Sequence, residues 1–134
     1  MTAALLDTSA LLCLRDDEAG AAEVSALLEA AAKGGEACFG CFMSLMEVLY
    51  RVWKDEGEAA GRTAYAQCQA LPILWLHESP TLLERAAGIK ATTPLSVADA
   101  WIAAAALEAE ALLIHKDPEF ERVQGLRHQP LPYR

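Results

Sequence analysis

Four acidic residues of this chain stand where acids can do chemistry, at the ends of apolar runs or inside helical patterns. Asp7 ends the apolar run AALL, and Asp117 follows the run ALLIH. Asp99 falls in the first turn of one helical pattern, and Glu47 falls inside another. Carboxylates that folding brings together repel one another unless protons or a cation neutralise them. The expected cation is a hard divalent metal with oxygen ligands, Mg²⁺ or Mn²⁺.

Each of these acids also has a purely structural interpretation. Asp7 and Asp117 suit the N-caps of the helices that follow them. Asp99 suits the positive end of a helix dipole, and Glu47 has Arg51 four residues on, which makes a stabilising helical pair. The four acids therefore predict a site as a set, and none of them does so alone.

The elements that must position these acids alternate between strand and helix patterns. Alternation of this kind favours an α/β three-layer sandwich, with a central, mainly parallel sheet of four to five strands flanked by helices. In such sheets, ligands bind outside the carboxyl ends of the strands. The predicted strands are 2–6, 36–40, 72–76, 111–115 and one near 129–133, and the predicted helices are a brief one from 9, then 19–35, 42–56, 58–71, 80–89, 96–110 and a short one at 117–123. The helices at 42–56 and 58–71 are predicted to pair as a hairpin.

Length and composition fit a single domain spanning residues 1–134, because the chain has 134 residues and a hydrophobic fraction of 54%. Lysine and arginine number 11 against 19 acids, for a net charge of −8, which excludes a global basic surface for nucleic acid. A polyanionic substrate must then be met locally or through a metal. No apolar run approaches the roughly 18 residues of a membrane span, and no basic leader precedes Asp7, so we expect a cytoplasmic protein that does not bind a membrane.

Several segments together resemble a known family: LLDTSALL, MSLMEVLYRV, LSVADAWIAAAALEAEALLIHKDPEF and ERVQGL. Over nearly the whole chain they are similar to the PIN-domain ribonucleases, in particular the VapC-type toxins of toxin–antitoxin pairs. The resemblance implies a PIN-like fold and a Mg²⁺- or Mn²⁺-dependent endoribonuclease. It implies that Asp7 and Asp99 are central metal ligands, that Glu47 completes the site and that Asp117 binds a metal or holds its waters, all four being catalytic.

The same resemblance implies protein partners. A cognate antitoxin is expected along the helical hairpin, with a basic side chain directed into the acidic site. Homodimers are usual in the family, so a homodimer is expected here too.

Three further residues are candidate contacts with an RNA substrate. Ser9 lies beside Asp7, where its hydroxyl can orient the carboxylate or meet a phosphate oxygen. The alternative is that it only caps the short helix. Arg51 and Lys116 are candidate phosphate contacts, and the alternative for both is an exposed, solvated side chain.

The sequence departs from the family at His115, where a threonine often stands two residues before the last acid. We expect this histidine to end its strand at the surface. A hydrogen bond to a carboxylate and a contact with RNA are the other interpretations.

Two functions of other classes stay open. One is a catalytically silent PIN-like module for binding or scaffolding. The other is a phosphoacceptor receiver domain, which calls for adjacent acids at the end of the first strand and a lysine at the end of the last. Asp16 and Asp17 are adjacent but follow the first helix, and the last predicted strand, QPLPY, has no lysine.

Overall fold

The computed structural model describes residues 2–133, and strands and helices follow one another in the predicted order. The strands are β1 (Ala4–Leu6), β2 (Cys38–Cys41), β3 (Leu74–Leu76), β4 (Leu112–His115) and β5 (His128–Pro130). The helices are α1 (Thr8–Arg15), α2 (Ala21–Ala32), α3 (Phe42–Glu56), α4 (Glu58–Ala70), α5 (Pro80–Thr92) and α6 (Val97–Glu108), and a 3₁₀ helix covers Pro118–Arg122.

All five strands join one parallel sheet in the order β3-β2-β1-β4-β5. Strand β1 is central, and Leu5 pairs with Phe39 of β2 on one side and Leu113 of β4 on the other. The chain first builds outward from β1 through β2 and β3, then returns to add β4 and β5 on the opposite side. The strand order therefore reverses between β1 and β4, which is where parallel α/β sheets leave a crevice at their carboxyl ends.

Helices cover both faces of the sheet, which completes the predicted three-layer fold. Consecutive strand residues point to opposite faces, so Leu6 packs with Val24 and Val48 among α1 to α4, while Leu5 packs with Ile102 among α5 and α6. Helix α6 brings four consecutive, fully buried alanines, Ala103 to Ala106, into the second cluster. Small side chains let this helix lie close to its neighbours, and so bring Asp99 in its first turn near the sheet edge.

Element ends differ from the predictions by a few residues. Helix α5 continues to Thr92, beyond the predicted end at 89. Pro94 follows shortly after, and the residue before a proline avoids helical backbone, so Thr93 is extended. Strand β3 begins at Leu74 rather than at Pro72. Within residues 2–133, no helix combines the length and apolar character needed to cross a membrane.

The hairpin of α3 and α4 depends on a glycine at its closest approach, and Gly61→Ala tests this. A Cβ at Gly61 would lie 2.8 Å from both the Leu49 carbonyl oxygen and the Trp53 Cβ. We expect the free energy of unfolding to fall by about 1–3 kcal/mol in a urea titration, because one side of the clash is backbone that cannot rotate away.

The matched control is Gly88→Ala in α5, where an added Cβ meets nothing within 4 Å. This change should raise stability by about 0.5–1 kcal/mol, since alanine restricts the unfolded chain. If the free energy of unfolding changed by the same amount and in the same direction in both variants, the close packing at Gly61 would be contradicted.

Candidate metal centre and active site

Asp7 leaves the end of β1 and is almost fully buried, with 3% of its surface exposed. Its N–H donates to the Ile114 carbonyl of β4 at 3.0 Å, so the sheet fixes its backbone. Its Oδ2 accepts the Ser9 N–H at 3.0 Å and also the Ser9 hydroxyl. The Ser9 Oγ in turn accepts the Lys116 N–H at 2.9 Å, which ties the segment after β1 to the segment after β4.

Burial raises the pKa of Asp7 to about 6, from an ordinary value of 3.8. The hydrogen bonds from Ser9 oppose this rise, and the negative charge of Glu47 adds to it. Asp7 therefore caps α1, as its structural interpretation holds, and also presents a buried carboxyl group that ionises reluctantly.

A second group of acids lies at the ends of α6 and β4. Asp99, Asp117 and Glu119 each offer a carboxylate oxygen, and these oxygens all lie within 4.8 Å of one another. The Ser96 hydroxyl accepts the Asp99 N–H at 3.1 Å, and Asp117 Oδ1 accepts the Glu119 N–H at 3.0 Å. Both helix caps thus hold their acids in a fixed turn.

The electrostatics of Asp99 join the two groups into one site. Its pKa is raised to about 7 by burial first, then by the charges of Asp7 and Asp117, by a hydrogen bond with Asp117 and by the charge of Glu47. The four acids predicted from the sequence are therefore close enough for their charges to interact.

Glu47 is held in this cluster by neighbours on two helices. Its Oε1 lies 2.7 Å from Thr8 Oγ1, which lies 2.8 Å from Ser44 Oγ, and its Oε2 lies 3.2 Å from Arg51 Nη2. A carboxylate only accepts and a hydroxyl has one proton to donate. The Thr8 hydroxyl therefore donates to Glu47 and accepts a hydrogen bond from the Ser44 hydroxyl. Glu47, Thr8 and Ser44 are all buried, so the carboxylate is oriented rather than solvated.

The donor set fits a hard divalent cation. It consists of carboxylate oxygens, which Mg²⁺ and Mn²⁺ prefer. Burial first, and then the charges of neighbouring acids, raise the pKa values of Asp7 and Asp99. A divalent cation would relieve that repulsion in place of protons. Asp99, Asp117 and Glu119 are the residues that would hold it, with Asp7 and Glu47 beside them.

Lys116 and Arg51, the two predicted phosphate contacts, have different surroundings. The Lys116 side chain is only 6% exposed, and its Nζ lies 3.0 Å from the Ala19 carbonyl oxygen and 3.4 Å from Glu18 Oε1. The alternative interpretation of Lys116 as an exposed, solvated side chain is therefore wrong. Arg51 is 44% exposed beside Glu47, and RNA contacts for Ser9, Arg51 and Lys116 stay predictions.

His115 is not at the surface, so that expectation is wrong. It is fully buried: its Nδ1 accepts the Asp117 N–H at 3.0 Å, and its Nε2 lies 3.0 Å from His128 Nδ1. Strand β5 pairs alongside β4 and covers it, and Phe120 packs edge-on against its ring. Burial, and then the neighbouring His128, lower the pKa of His115 to about 4, so the imidazole is neutral at physiological pH.

Sequence reasoning missed Glu119 and Ser44. Glu119 follows Asp117 by two residues in a 3₁₀ turn, and the short spacing is the signal that could have found it. Ser44 precedes Glu47 by three residues, a spacing that puts both on one face of α3. The pairing of Ser44 with Thr8, 36 residues earlier in the chain, has no local signal.

A cavity of about 500 Å³ opens beside the acids. It has three basic side chains and four acidic ones along its walls, so it is not a uniformly basic channel. Its lining includes Ser9, Arg15, Arg51, Lys116 and Tyr133, with Asp16, Glu18, Asp55 and Glu56.

The family model for the PIN domain matches residues 4–126. This chain belongs to the PIN-domain family. The alternative of a phosphoacceptor receiver domain is therefore wrong. The acids at the carboxyl end of β1 and beyond β4 lie in the crevice of a PIN fold. Comparison with curated protein sequences gave no match.

Solved structures share the fold of this PIN domain across most of its length. A chain of VapBC2 from Rickettsia felis, bound to a promoter DNA fragment, has a TM-score of 0.77 at 16% identity and covers 96% of this chain and 98% of its own. A toxin–antitoxin complex from Klebsiella pneumoniae gives 0.65 at 25% identity, covering 92% and 95%. VapC20 from Mycobacterium tuberculosis, a toxin that cleaves the sarcin–ricin loop, gives 0.68 at 16% identity, covering 89% and 93%.

The raised pKa of Asp7 predicts how metal-free stability depends on pH. The folded protein holds a proton on Asp7 up to about pH 6, whereas the unfolded chain releases it near 3.8. Stability therefore falls as the pH rises through this interval. Asp7→Asn removes the ionisable group, and with it the fall in stability, but it retains a side chain that can cap the helix. At pH 7.5 in a chelator, this variant should be more stable than wild type by about 1–3 kcal/mol.

That advantage should vanish near pH 3 in urea titrations, because Asp7 is then mostly protonated in both states. Asp55→Asn removes the same charge from an exposed part of α3 and should leave the pH dependence unchanged. If Asp7→Asn unfolded more easily than wild type at pH 7.5, the carboxylate would be stabilising the fold and not straining it.

Proposed function

We propose that this PIN domain is a metal-dependent endoribonuclease that hydrolyses RNA phosphodiester bonds, and that it is the toxin of a toxin–antitoxin pair. The observation that carries the proposal is the gathering of carboxylates at the reversal point of the sheet, where Asp99, Asp117 and Glu119 bring oxygens within 4.8 Å of one another beside the buried Asp7 and Glu47. Structural ion clusters are normally neutralised by basic partners, whereas the charges that raise the pKa of Asp99 are those of Asp7, Asp117 and Glu47. Family membership and the shared fold of VapC20 support RNA as the substrate class.

The proposed cofactor is Mg²⁺ or Mn²⁺, held by Asp99, Asp117 and Glu119 with Asp7 and Glu47 contributing. When bound, such an ion supplies charge neutralisation at phosphorus and lowers the pKa of water. Asp7, Glu47, Asp99 and Asp117 are the proposed catalytic residues, as the sequence predicted. Glu119 joins them on the distances among the carboxylate oxygens.

The surrounding residues would keep the carboxylates in place while substrate binds. Ser9 fixes Asp7 through its N–H and hydroxyl, and Thr8 with Ser44 fixes Glu47. The Arg51 guanidinium lies at the border between Glu47 and the 500 Å³ cavity, where it can donate to a phosphate oxygen. Attack of water on phosphorus with departure of the 3′-oxygen, which the family resemblance implies, would leave a 5′-phosphate and a 3′-hydroxyl.

A second, apolar cavity supports the antitoxin proposal. It measures about 280 Å³ between α1, α3 and α4, and it shares Leu12 and Arg15 with the cavity beside the acids. A partner segment could place apolar side chains against Leu11, Val48 and Leu71 and continue toward the carboxylates with a basic one. The net charge of −8 favours such a basic partner, and the similar structures include toxin–antitoxin complexes.

We also propose that the chain is one domain over residues 1–134 and acts in the cytoplasm as a homodimer. Exposed apolar side chains on α3 are available for a second copy, with Met46 61%, Tyr50 45% and Trp53 41% exposed. The silent-module alternative rested on the altered position at His115, which accepts the Asp117 N–H. Cleavage of RNA decides between that alternative and the ribonuclease.

The ribonuclease proposal predicts manganese-dependent cleavage of RNA with defined ends. Wild type should cut a mixed RNA substrate in Mn²⁺ and lose all cutting in a chelator. Asp99→Asn should lower kcat at least about 10³-fold, since the carboxylates act as one unit. Glu84→Gln on the exposed face of α5 is the charge-matched control and should stay near wild type.

End-group analysis of the products provides the decisive measurement. A 5′-phosphate and a 3′-hydroxyl are expected. A 2′,3′-cyclic phosphate would show that the RNA's own hydroxyl attacked, and would overturn hydrolysis by water.

Arg51→Gln separates substrate contact from metal binding. Losing a phosphate contact should raise KM for RNA about three- to tenfold and reduce the salt dependence of binding by about one charge. Manganese affinity should stay the same or tighten, because a positive charge leaves the neighbourhood of Glu47. Arg85→Gln changes the same charge on α5 and should alter neither quantity, while unchanged RNA binding in Arg51→Gln would remove Arg51 from the substrate site.

A further inference from the structure

A chain of hydrogen bonds runs beneath the acids, from Asp117 through His115 to His128. The Asp117 N–H donates to His115 Nδ1 at 3.0 Å, and His115 Nε2 lies 3.0 Å from His128 Nδ1. His115 ends β4 and is fully buried, and His128 begins β5 and is half-buried. We propose that His115 and His128 together form the positioning element for Asp117, and that catalysis and metal binding require both rings.

The direction of the first hydrogen bond fixes the protonation of His115. A backbone N–H can only donate, so His115 Nδ1 must be unprotonated. A neutral imidazole then carries its proton on Nε2. That proton points to His128 Nδ1, which must accept it. The two rings therefore use the same atom, Nδ1, as acceptor, and each can be tested in the same way.

The second ring is needed because the first is buried. A buried N–H without an acceptor is strongly disfavoured, so without His128 the other tautomer of His115 would compete. That tautomer carries its proton on Nδ1, where it would oppose the Asp117 N–H. His128 thus selects the tautomer that can hold Asp117, although it does not itself contact Asp117.

Aromatic rings pack against the buried imidazole. The Phe120 ring lies edge-on to it, with centroids 5.2 Å apart, and the Tyr133 ring lies 6.2 Å away on centroids. Asp117 is then held twice, at its N–H by His115 and at its Oδ1 by the Glu119 N–H. These two hydrogen bonds set the direction of the carboxyl group toward Asp99 and Glu119.

This inference rests on the proposed function, because it concerns the metal site that the function requires. It does not make His115 a catalytic residue. The ring acts through Asp117, and its surroundings give it no access to the reacting atoms: it is fully buried between β5 and Phe120.

Matched asparagine and leucine variants test the chain of hydrogen bonds at each histidine. Asparagine places its Oδ1 where Nδ1 stands and can accept a hydrogen bond, whereas leucine has a similar shape and no acceptor. The readouts are the Kd for Mn²⁺ by calorimetry, kcat on RNA, and the thermal midpoint in a chelator. Asp99→Asn is the reference for a lost metal ligand.

His115→Leu should weaken Mn²⁺ binding at least about tenfold, in line with changes to groups that orient metal ligands, and His115→Asn should stay within about threefold of wild type. His128→Leu should weaken binding by about three- to tenfold, and His128→Asn should restore it. Adding His128→Leu to His115→Asn should weaken Mn²⁺ binding no further. Asparagine has no tautomers, so it needs no second ring to keep its acceptor facing Asp117. A merely structural role would lower the thermal midpoint in these variants without this pattern of rescue.

Equal Mn²⁺ affinity in His115→Leu and His115→Asn would overturn the inference, as would an undiminished effect of His128→Leu in the His115→Asn background. If wild type bound Mn²⁺ and Asp99→Asn did not, either result would overturn the positioning pair alone and leave the proposed function standing. If wild type bound no Mn²⁺, both would fall, since Asp117 would have no ion to be positioned for.

Nitrogen chemical shifts of the imidazoles give a test that needs no metal. The His115 ring should show an unprotonated Nδ1 and a protonated Nε2 in wild type, and a mixture of tautomers in His128→Leu. A protonated Nδ1 in wild type would contradict the hydrogen bond on which the inference depends.

Discussion

Negative charge held out of water at one edge of the sheet is the constraint on which the rest of this structure depends. Asp7 and Glu47 are buried, Asp99 and Asp117 are half-buried, and the exposed Glu119 completes the group. Burial raises the free energy of the ionised Asp7 and Asp99 carboxyls, and neighbouring carboxylates raise it further. A fold does not gain stability from such a cluster, so local interactions must hold the acids in place. A bound cation would offset the repulsion among them.

The local interactions that hold the cluster are the ordinary devices of helix and strand ends. Asp7, Ser96 and Asp117 each accept a backbone N–H as the N-cap of the helix that follows. The capping and the catalytic interpretations are therefore not alternatives. A cap fixes the direction of the chain, and the same fixed turn aims a carboxylate into the crevice between β1 and β4. Inside the crevice, hydroxyl groups orient the carboxylates by hydrogen bonds, from Ser9 to Asp7 and from Thr8 to Glu47.

Features that are local in the chain could be predicted from the sequence. The order of elements, the parallel sheet and the convergence of Asp7, Asp99 and Asp117 follow from alternating patterns, because the carboxyl ends of parallel strands meet at one edge. Cap signals are equally local. Family resemblance added Glu47, whose helix position alone suggested only a pair with Arg51.

Features set by pairing between distant segments could not be predicted. His115 looked like a strand end at the surface because nothing near it in sequence shows that β5 will lie alongside and bring His128 within 3.0 Å. Lys116 looked exposed because its partners, Glu18 and the Ala19 carbonyl, belong to the segment between α1 and α2. Glu119 was missed because a 3₁₀ turn, and not a regular helix, carries it back toward Asp99.

Thermal unfolding during a Mn²⁺ titration, with wild type, Asp99→Asn and Asp55→Asn side by side, tests the central claim most directly. A ligand that binds only the folded state stabilises it by RT ln(1 + [L]/Kd). The midpoints of wild type and Asp55→Asn should therefore keep rising with Mn²⁺ concentration above Kd, while that of Asp99→Asn stays nearly flat. A flat midpoint in wild type, or an equal rise in all three proteins, would contradict the claim that these buried acids form a metal site.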